Sequence, residues 1–204
     1  MKRFVLGTVQ IGQAYGRGAG GPPIEARDAF AMLDRAWTLG IRCFDTAEAY
    51  GTSIERLAGW MDARGVRAEA QVVTKARLAD ADAVPERLNR ALSEFGGTGA
   101  LTLLSHGAAS GEVWRQLVAA AERSGADAGQ SVYDAGEVRA AAALPKVRRL
   151  QAPGNLFDRA AISARAGASI PLDLRSVYLQ GVLLEPAAAA DRRAPGIGHL
   201  AAAV

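Results

Sequence analysis

Cysteine, histidine and aromatic residues are scarce in this chain of 204 residues: there is one Cys, there are two His, and Phe, Trp and Tyr together make up 6%. A single cysteine, Cys43, excludes a disulfide within the chain and fits a reducing, cytoplasmic compartment. Its place beside Phe44 in an apolar run reads as a small buried hydrophobe. No apolar run approaches the ~18 residues of a membrane span. After Met1-Lys2-Arg3 only Phe4, Val5 and Leu6 follow, well short of the ~7 to 15 apolar residues of a signal peptide. A charge stripe is also missing, because the net charge of +3 comes from arginines scattered among acids. No nucleic-acid partner is expected, only a mild preference for anionic ligands. No metal site is read from the sequence. What remains is 50% apolar and 22% charged, the composition of one ordinary globular domain.

That domain is built on a repeat. Short apolar runs occur at 4–9, 41–45, 71–75, 101–105, 127–133, 147–152 and 174–180, which gives seven expected strands. Between the early ones lie stretches with helical spacing. Residues 25–39 set Phe30, Leu33 and Trp37 on one face, and residues 54–64 set Ile54, Leu57 and Met61. Gly40 and Gly65 stop these two helices. Residues 84–95 carry Leu88, Leu92 and Phe95, and residues 112–123 carry Val113, Leu117 and Val118. Trp37, Trp60 and Trp114 fall within these stretches and read as packing residues. Strands joined by helical crossovers must pair in parallel, and a unit recurring about every thirty residues leads to a (β/α) barrel or a doubly wound sheet. After residue 130 the repeat weakens, with a short connection at 135–144 and a stretch at 158–171 interrupted by Gly167 and Pro171. Past Glu185-Pro186 the chain is alanine-rich and broken by Pro195, Gly196 and Gly198. The expected organisation is a barrel domain over 1–184 and an irregular tail over 185–204, with no eighth strand.

Gly16-Arg17-Gly18-Ala19-Gly20-Gly21 satisfies G-x-G-x-x-G, and Asp45 lies 24 residues further on, where a dinucleotide-binding sheet would place its ribose-binding acid. That fingerprint needs its first glycine directly after the strand and its last at the opening of the helix. Here Gln10 to Tyr15 intervene and Pro22-Pro23 follow, so the glycines read as a loop.

Asp45 belongs better with three other residues. Phe44-Asp45-Thr46-Ala47, Ala49-Tyr50-Gly51, Val72-Val73-Thr74-Lys75 and Leu103-Leu104-Ser105-His106 put an acid, a phenol, an ammonium and an imidazole at or just past strand-like runs. A parallel barrel gathers its strand ends at one mouth, so these groups can converge there. Further short stretches complete an ordered series. They are Gly40-Ile41-Arg42-Cys43-Phe44, Leu6-Gly7-Thr8-Val9-Gln10, Ser131-Val132-Tyr133-Asp134, Gln151 with Asn155-Leu156-Phe157-Asp158-Arg159, and Arg175-Ser176-Val177-Tyr178-Leu179-Gln180-Gly181. The series resembles the aldo-keto reductase superfamily over nearly the whole chain, as a short, C-terminally truncated member of bacterial type. The resemblance implies an α/β TIM-type barrel, incomplete here, with about seven parallel strands and no eighth βα unit. It implies Asp45, Tyr50, Lys75 and His106 as catalytic residues and NADP or NAD as cofactor. It also implies that Ser131 and Gln151 grip the nicotinamide carboxamide, while Thr8 and the stretch containing Ser176, Leu179 and Gly181 line the sugar and pyrophosphate.

Reducing an aldehyde or ketone by hydride leaves an alkoxide-like oxygen that needs a proton within hydrogen-bond reach. Tyr50 is the expected donor. Lys75 is expected to lower the phenol's pKa, Asp45 to hold Lys75, and His106 to orient the carbonyl. Glu48 reads as a solvated loop acid, and His199 is given no part. Departures from the family pattern are Val132 where many members carry Asn, and Ile54-Glu55 where a Glu follows Tyr50-Gly51 more closely. The segment that holds the adenosine 2′-phosphate in the family has no counterpart, and Arg192 and Arg193 read as solvated. Three functions are therefore weighed: a carbonyl reductase, a cofactor-independent lyase or isomerase using the same proton relay, and a catalytically silent remnant or binding subunit. The expected partners are a small-molecule carbonyl substrate and a second copy covering the open edges of the first and seventh strands, with neither nucleic acid nor membrane.

Overall fold

The computed structural model describes residues 4–16, 22–165, 167–193 and 195–198. Its strands are β1 (Val5–Gly7), β2 (Cys43–Asp45), β3 (Gln71–Ala76), β4 (Ala100–His106), β5 (Asp127–Ser131), β6 (Arg149–Pro153) and β7 (Leu172–Arg175). All pair in parallel and in sequence order, giving a nearly closed barrel of seven strands. The helices are α1 (Val9–Gly12), α2 (Ala26–Thr38), α3 (Ser53–Arg64), α4 (Ala83–Phe95), α5 (Gly111–Ser124), α6 (Ala135–Ala142), α7 (Ala160–Ala164) and α8 (Ala187–Arg193).

Alternation along the strands sorts the core into two zones. Phe44, Val72, Leu103 and Leu150 face outward into the main core against the helices, while Cys43, Val73 and Leu104 fill the barrel interior together with Val5. Helix α3 stops where Gly65 adopts the left-handed conformation at φ 64° and its N–H caps the carbonyls of Met61 and Asp62. The tryptophans pack as expected. Trp37 stacks on Phe44 with centroids 6.3 Å apart, and the indole N–H groups of Trp60 and Trp114 donate to Asp34 at 2.8 Å and to the Pro145 carbonyl at 3.0 Å.

Differences from the sequence reading lie at the two ends of the barrel. The run at 4–9 yields strand only to Gly7, and Val9 begins a short helix. The run at 174–180 yields strand only to Arg175, because Ser176, Leu179 and Gln180 all have positive φ and cannot stay in a ladder. The chain there turns into a 3₁₀ segment, Leu179–Leu184, leaving Val177 and Tyr178 exposed. In the stretch read as an irregular tail, Ala187–Arg193 is helical, in line with alanine's propensity, and Ala190 is buried against Val182. Among the described residues β1 and β7 each pair with one neighbour, and no helix is long and apolar enough to cross a membrane.

Candidate active site

Asp45 ends β2, Lys75 lies one residue before the end of β3, His106 ends β4, and Tyr50 sits in the loop from β2 to α3. The barrel brings all of them to one mouth. Lys75 Nζ donates to Asp45 Oδ1 at 2.5 Å and to the Thr46 carbonyl at 2.8 Å, and it lies 4.8 Å from the centroid of the Tyr50 ring. The Tyr50 and His106 rings meet edge to face with centroids 6.5 Å apart. Burial and the negative charge of Asp45 hold the Tyr50 phenol well above its ordinary pKa of 10.0. This reverses the expected direction. The ammonium that was to acidify the phenol lies over the ring face and is tied to Asp45. Lys75 is fully buried, and desolvation pulls its pKa down against the opposing pull of Asp45. His106 is lowered from 6.5, first by burial and then by the charges of Lys75, Arg175 and Arg77.

The loop carrying Tyr50 has a mount that its own sequence does not announce. Ser53 Oγ lies 2.7 Å from Thr8 Oγ1 and 2.9 Å from Thr46 Oγ1, and it donates to the Thr8 carbonyl at 3.0 Å. Gly12 of α1 packs so closely that a Cβ there would run into the Tyr50 carbonyl oxygen and the Ser53 nitrogen. Arg56 Nη1 ties the same region together by donating to the carbonyls of Ile11 at 2.5 Å and Ile24 at 2.6 Å. Motif reading passed over Gly12, Ser53 and Arg56. The signal available for Ser53 was a small polar residue at the helix start just after the Tyr50 loop.

The residues assigned to the cofactor divide into two groups. Thr8 is buried at the end of β1, with its hydroxyl donating to the Asp45 carbonyl at 2.8 Å. Ser131 Oγ donates to Gln151 Oε1 at 2.9 Å, and Gln151 Nε2 donates to Asp45 Oδ1 at 2.8 Å, so a buried chain runs from Ser131 to Lys75. Ser176, Leu179 and Gly181 lie apart from this chain, in the turn after β7. Gly16 carries that turn against the loop after α1, since a Cβ on Gly16 would lie 2.7 Å from the Gln180 carbonyl oxygen. The remaining glycines of the G-x-G-x-x-G run and His199 lie outside the described residues. Glu48, expected to be solvated, is mostly covered and pairs with Arg87 at 3.6 Å. Arg192 is exposed, and the side chain of Arg193 lies outside the described residues. Among the described residues no group of His, Cys, Asp and Glu is placed to hold a metal ion.

Residues 3–98 match the model of the Aldo/keto reductase family. No curated protein matches the chain. Among solved structures, a Pseudomonas aeruginosa protein described as an aldo-keto reductase is similar at a TM-score of 0.69 and 26% identity, over 93% of this chain and 80% of that one. An aldo/keto reductase from Brucella melitensis gives a TM-score of 0.65 at 19% identity, over 93% of this chain and 74% of that one. An aldo-keto reductase from a deep-sea metagenome library of the Medee basin gives 0.63 at 19% identity, over 95% and 72%. The last two bear on the fold alone.

Proposed function

We propose that this chain, an aldo-keto reductase in the sequence of its first half and in its barrel, reduces an aldehyde or ketone with a nicotinamide cofactor, NADPH or NADH. The observation that carries the reading is the meeting of Asp45, Lys75, Tyr50 and His106 at one mouth, from strands and loops far apart in the sequence. The polar groups around them suit the cofactor's carboxamide. A hydroxyl on Ser131 and a primary amide on Gln151, both buried beside the Asp45–Lys75 pair, offer the donor and acceptor set that a carboxamide matches. Ser131 and Gln151 would hold that group by exchanging one of their present bonds for it. The backbone turn at Ser176 to Gly181, with its run of positive φ, would lie along the sugar and pyrophosphate.

When bound, the cofactor supplies the hydride. The residues of the chain supply the proton and the geometry. Tyr50 hands its phenolic proton to the oxygen that becomes the alcohol, and its raised pKa keeps that proton in place at neutral pH. Lys75 stabilises the phenolate left behind, and Asp45 fixes Lys75. His106, held neutral by its lowered pKa, orients the carbonyl oxygen against Tyr50.

Fluorescence titration with NADPH and NADH, followed by consumption of the bound form with a panel of aldehydes, tests the reading. Binding of at least one nucleotide between micromolar and low millimolar concentration, with turnover, is expected. Failure of both to bind would leave only the cofactor-independent or silent alternatives.

A further inference from the structure

We propose that Arg175, at the mouth of the barrel, anchors the carboxylate of an acid-bearing aldehyde or ketone; the proposal rests on the reductase reading above and names its substrate class. Arg175 ends β7, opposite Pro153 of β6. Along β7, Asp173 turns into the barrel, where it pairs with Arg149 at 2.5 Å beside Cys43. Alternation therefore points Arg175 inward too, one pleat nearer the mouth. Its Nη2 donates to the Val132 carbonyl at 3.1 Å, and its guanidinium lies 4.6 Å from the centroid of the Tyr133 ring. Both contacts belong to the end of β5, two strands from where the side chain starts. Neighbouring strands stand about 4.8 Å apart, so the side chain reaches over β6 and leaves its charge roughly one strand from His106, which pairs in register with Ser131 of β5.

These two contacts hold the guanidinium in place without cancelling its charge. The nearby carboxylates are committed elsewhere: Asp45 to Lys75, Asp173 to Arg149 and Glu48 to Arg87. Among the described residues no carboxylate pairs with Arg175, and exposed Arg77, just past β3, adds a second cation to the same rim. The charge reaches the relay, since both arginines help hold down the pKa of His106. A planar fork with most of its donors unspent is the partner a carboxylate takes bidentately. A carboxylate placed there would set the carbonyl of the same molecule between Tyr50 and His106.

The test compares kcat/KM for succinate semialdehyde and butanal, which differ by the carboxylate. A preference for the acid of about ten- to a hundredfold, carried by KM, is expected in the parent protein. Arg175→Gln should abolish the preference, and Arg175→Lys should keep part of it. Equal values in the parent, or a preference that survives in Arg175→Gln, overturns the proposal. So does a loss of NADPH affinity in Arg175→Gln with the acid preference intact, which would assign the guanidinium to a nucleotide phosphate. A second readout is independent of turnover. In the cofactor-free protein, with His199→Gln used to assign the other imidazole signal, succinate should raise the NMR titration midpoint of His106. It should fail to do so in Arg175→Gln. If no carbonyl is reduced at all, the reductase reading falls and this titration alone decides the anion site, where absence of the shift overturns it.

Discussion

The protonation of Tyr50 is set by burial more than by the ammonium of Lys75. Burial and Asp45 raise the phenol's pKa, so the acid form dominates throughout the neutral range, as the proposed proton donation requires. His106 behaves in the opposite way, with a folded-state pKa below 6.5. Between that value and 6.5 the unfolded chain binds the proton more readily than the folded one, so stability rises with pH across that window and is lost on acidification. Replacing His106 with Gln should therefore flatten the acid limb of unfolding free energy just below pH 6.5 in urea titrations. An unchanged limb would show that His106 is solvated. At this scale the gathering of the four side chains was legible from the sequence, because Asp45, Lys75 and His106 each stand at or next to a strand end and Tyr50 follows close behind one. The bond from Gln151 to Asp45 and the reach of Arg175 were not legible, since both depend on the register between strands more than a hundred residues apart or on a side chain crossing a whole strand.

Among the elements, the short helix α1 does the most for its length. It wedges Gly12 beneath the Tyr50 loop, where even one methyl group meets backbone on two sides. Gly12→Ala should lower unfolding free energy by roughly 1 to 3 kcal/mol, the usual penalty for overpacking, and should depress kcat by moving Tyr50. Urea unfolding and steady-state kinetics read the two effects separately. An effect on stability with kcat intact would mean that α1 supports the barrel but not the site. Elements with strong periodicity were legible: α2, α3, α4 and α5 lie within a residue or two of the apolar faces that announced them. Strand β7 was half legible. An apolar run from Val177 to Leu179 looks like strand, but left-handed backbone at Ser176, Leu179 and Gln180 folds it into a turn that side-chain pattern cannot reveal.

On the scale of the whole molecule, the barrel leaves a seam. Strands β1 and β7, of three and four residues, each have one paired neighbour among the described residues. Open edges favour pairing with a second copy, so the weight-average mass in sedimentation equilibrium should rise with protein concentration. A constant monomer mass would show that such short edges are too small to associate. The seam lies away from Asp45, Lys75 and His106, which sit on β2, β3 and β4, strands with neighbours on both sides. The proposed function requires these residues and Tyr50 to converge on a single carbonyl, and replacing Tyr50 with Phe while measuring carbonyl reduction and NADPH affinity tests it most directly. Reduction should fall by about 10² to 10⁴-fold while nucleotide affinity stays put. Reduction that continues undiminished would contradict the assignment of the proton to this phenol.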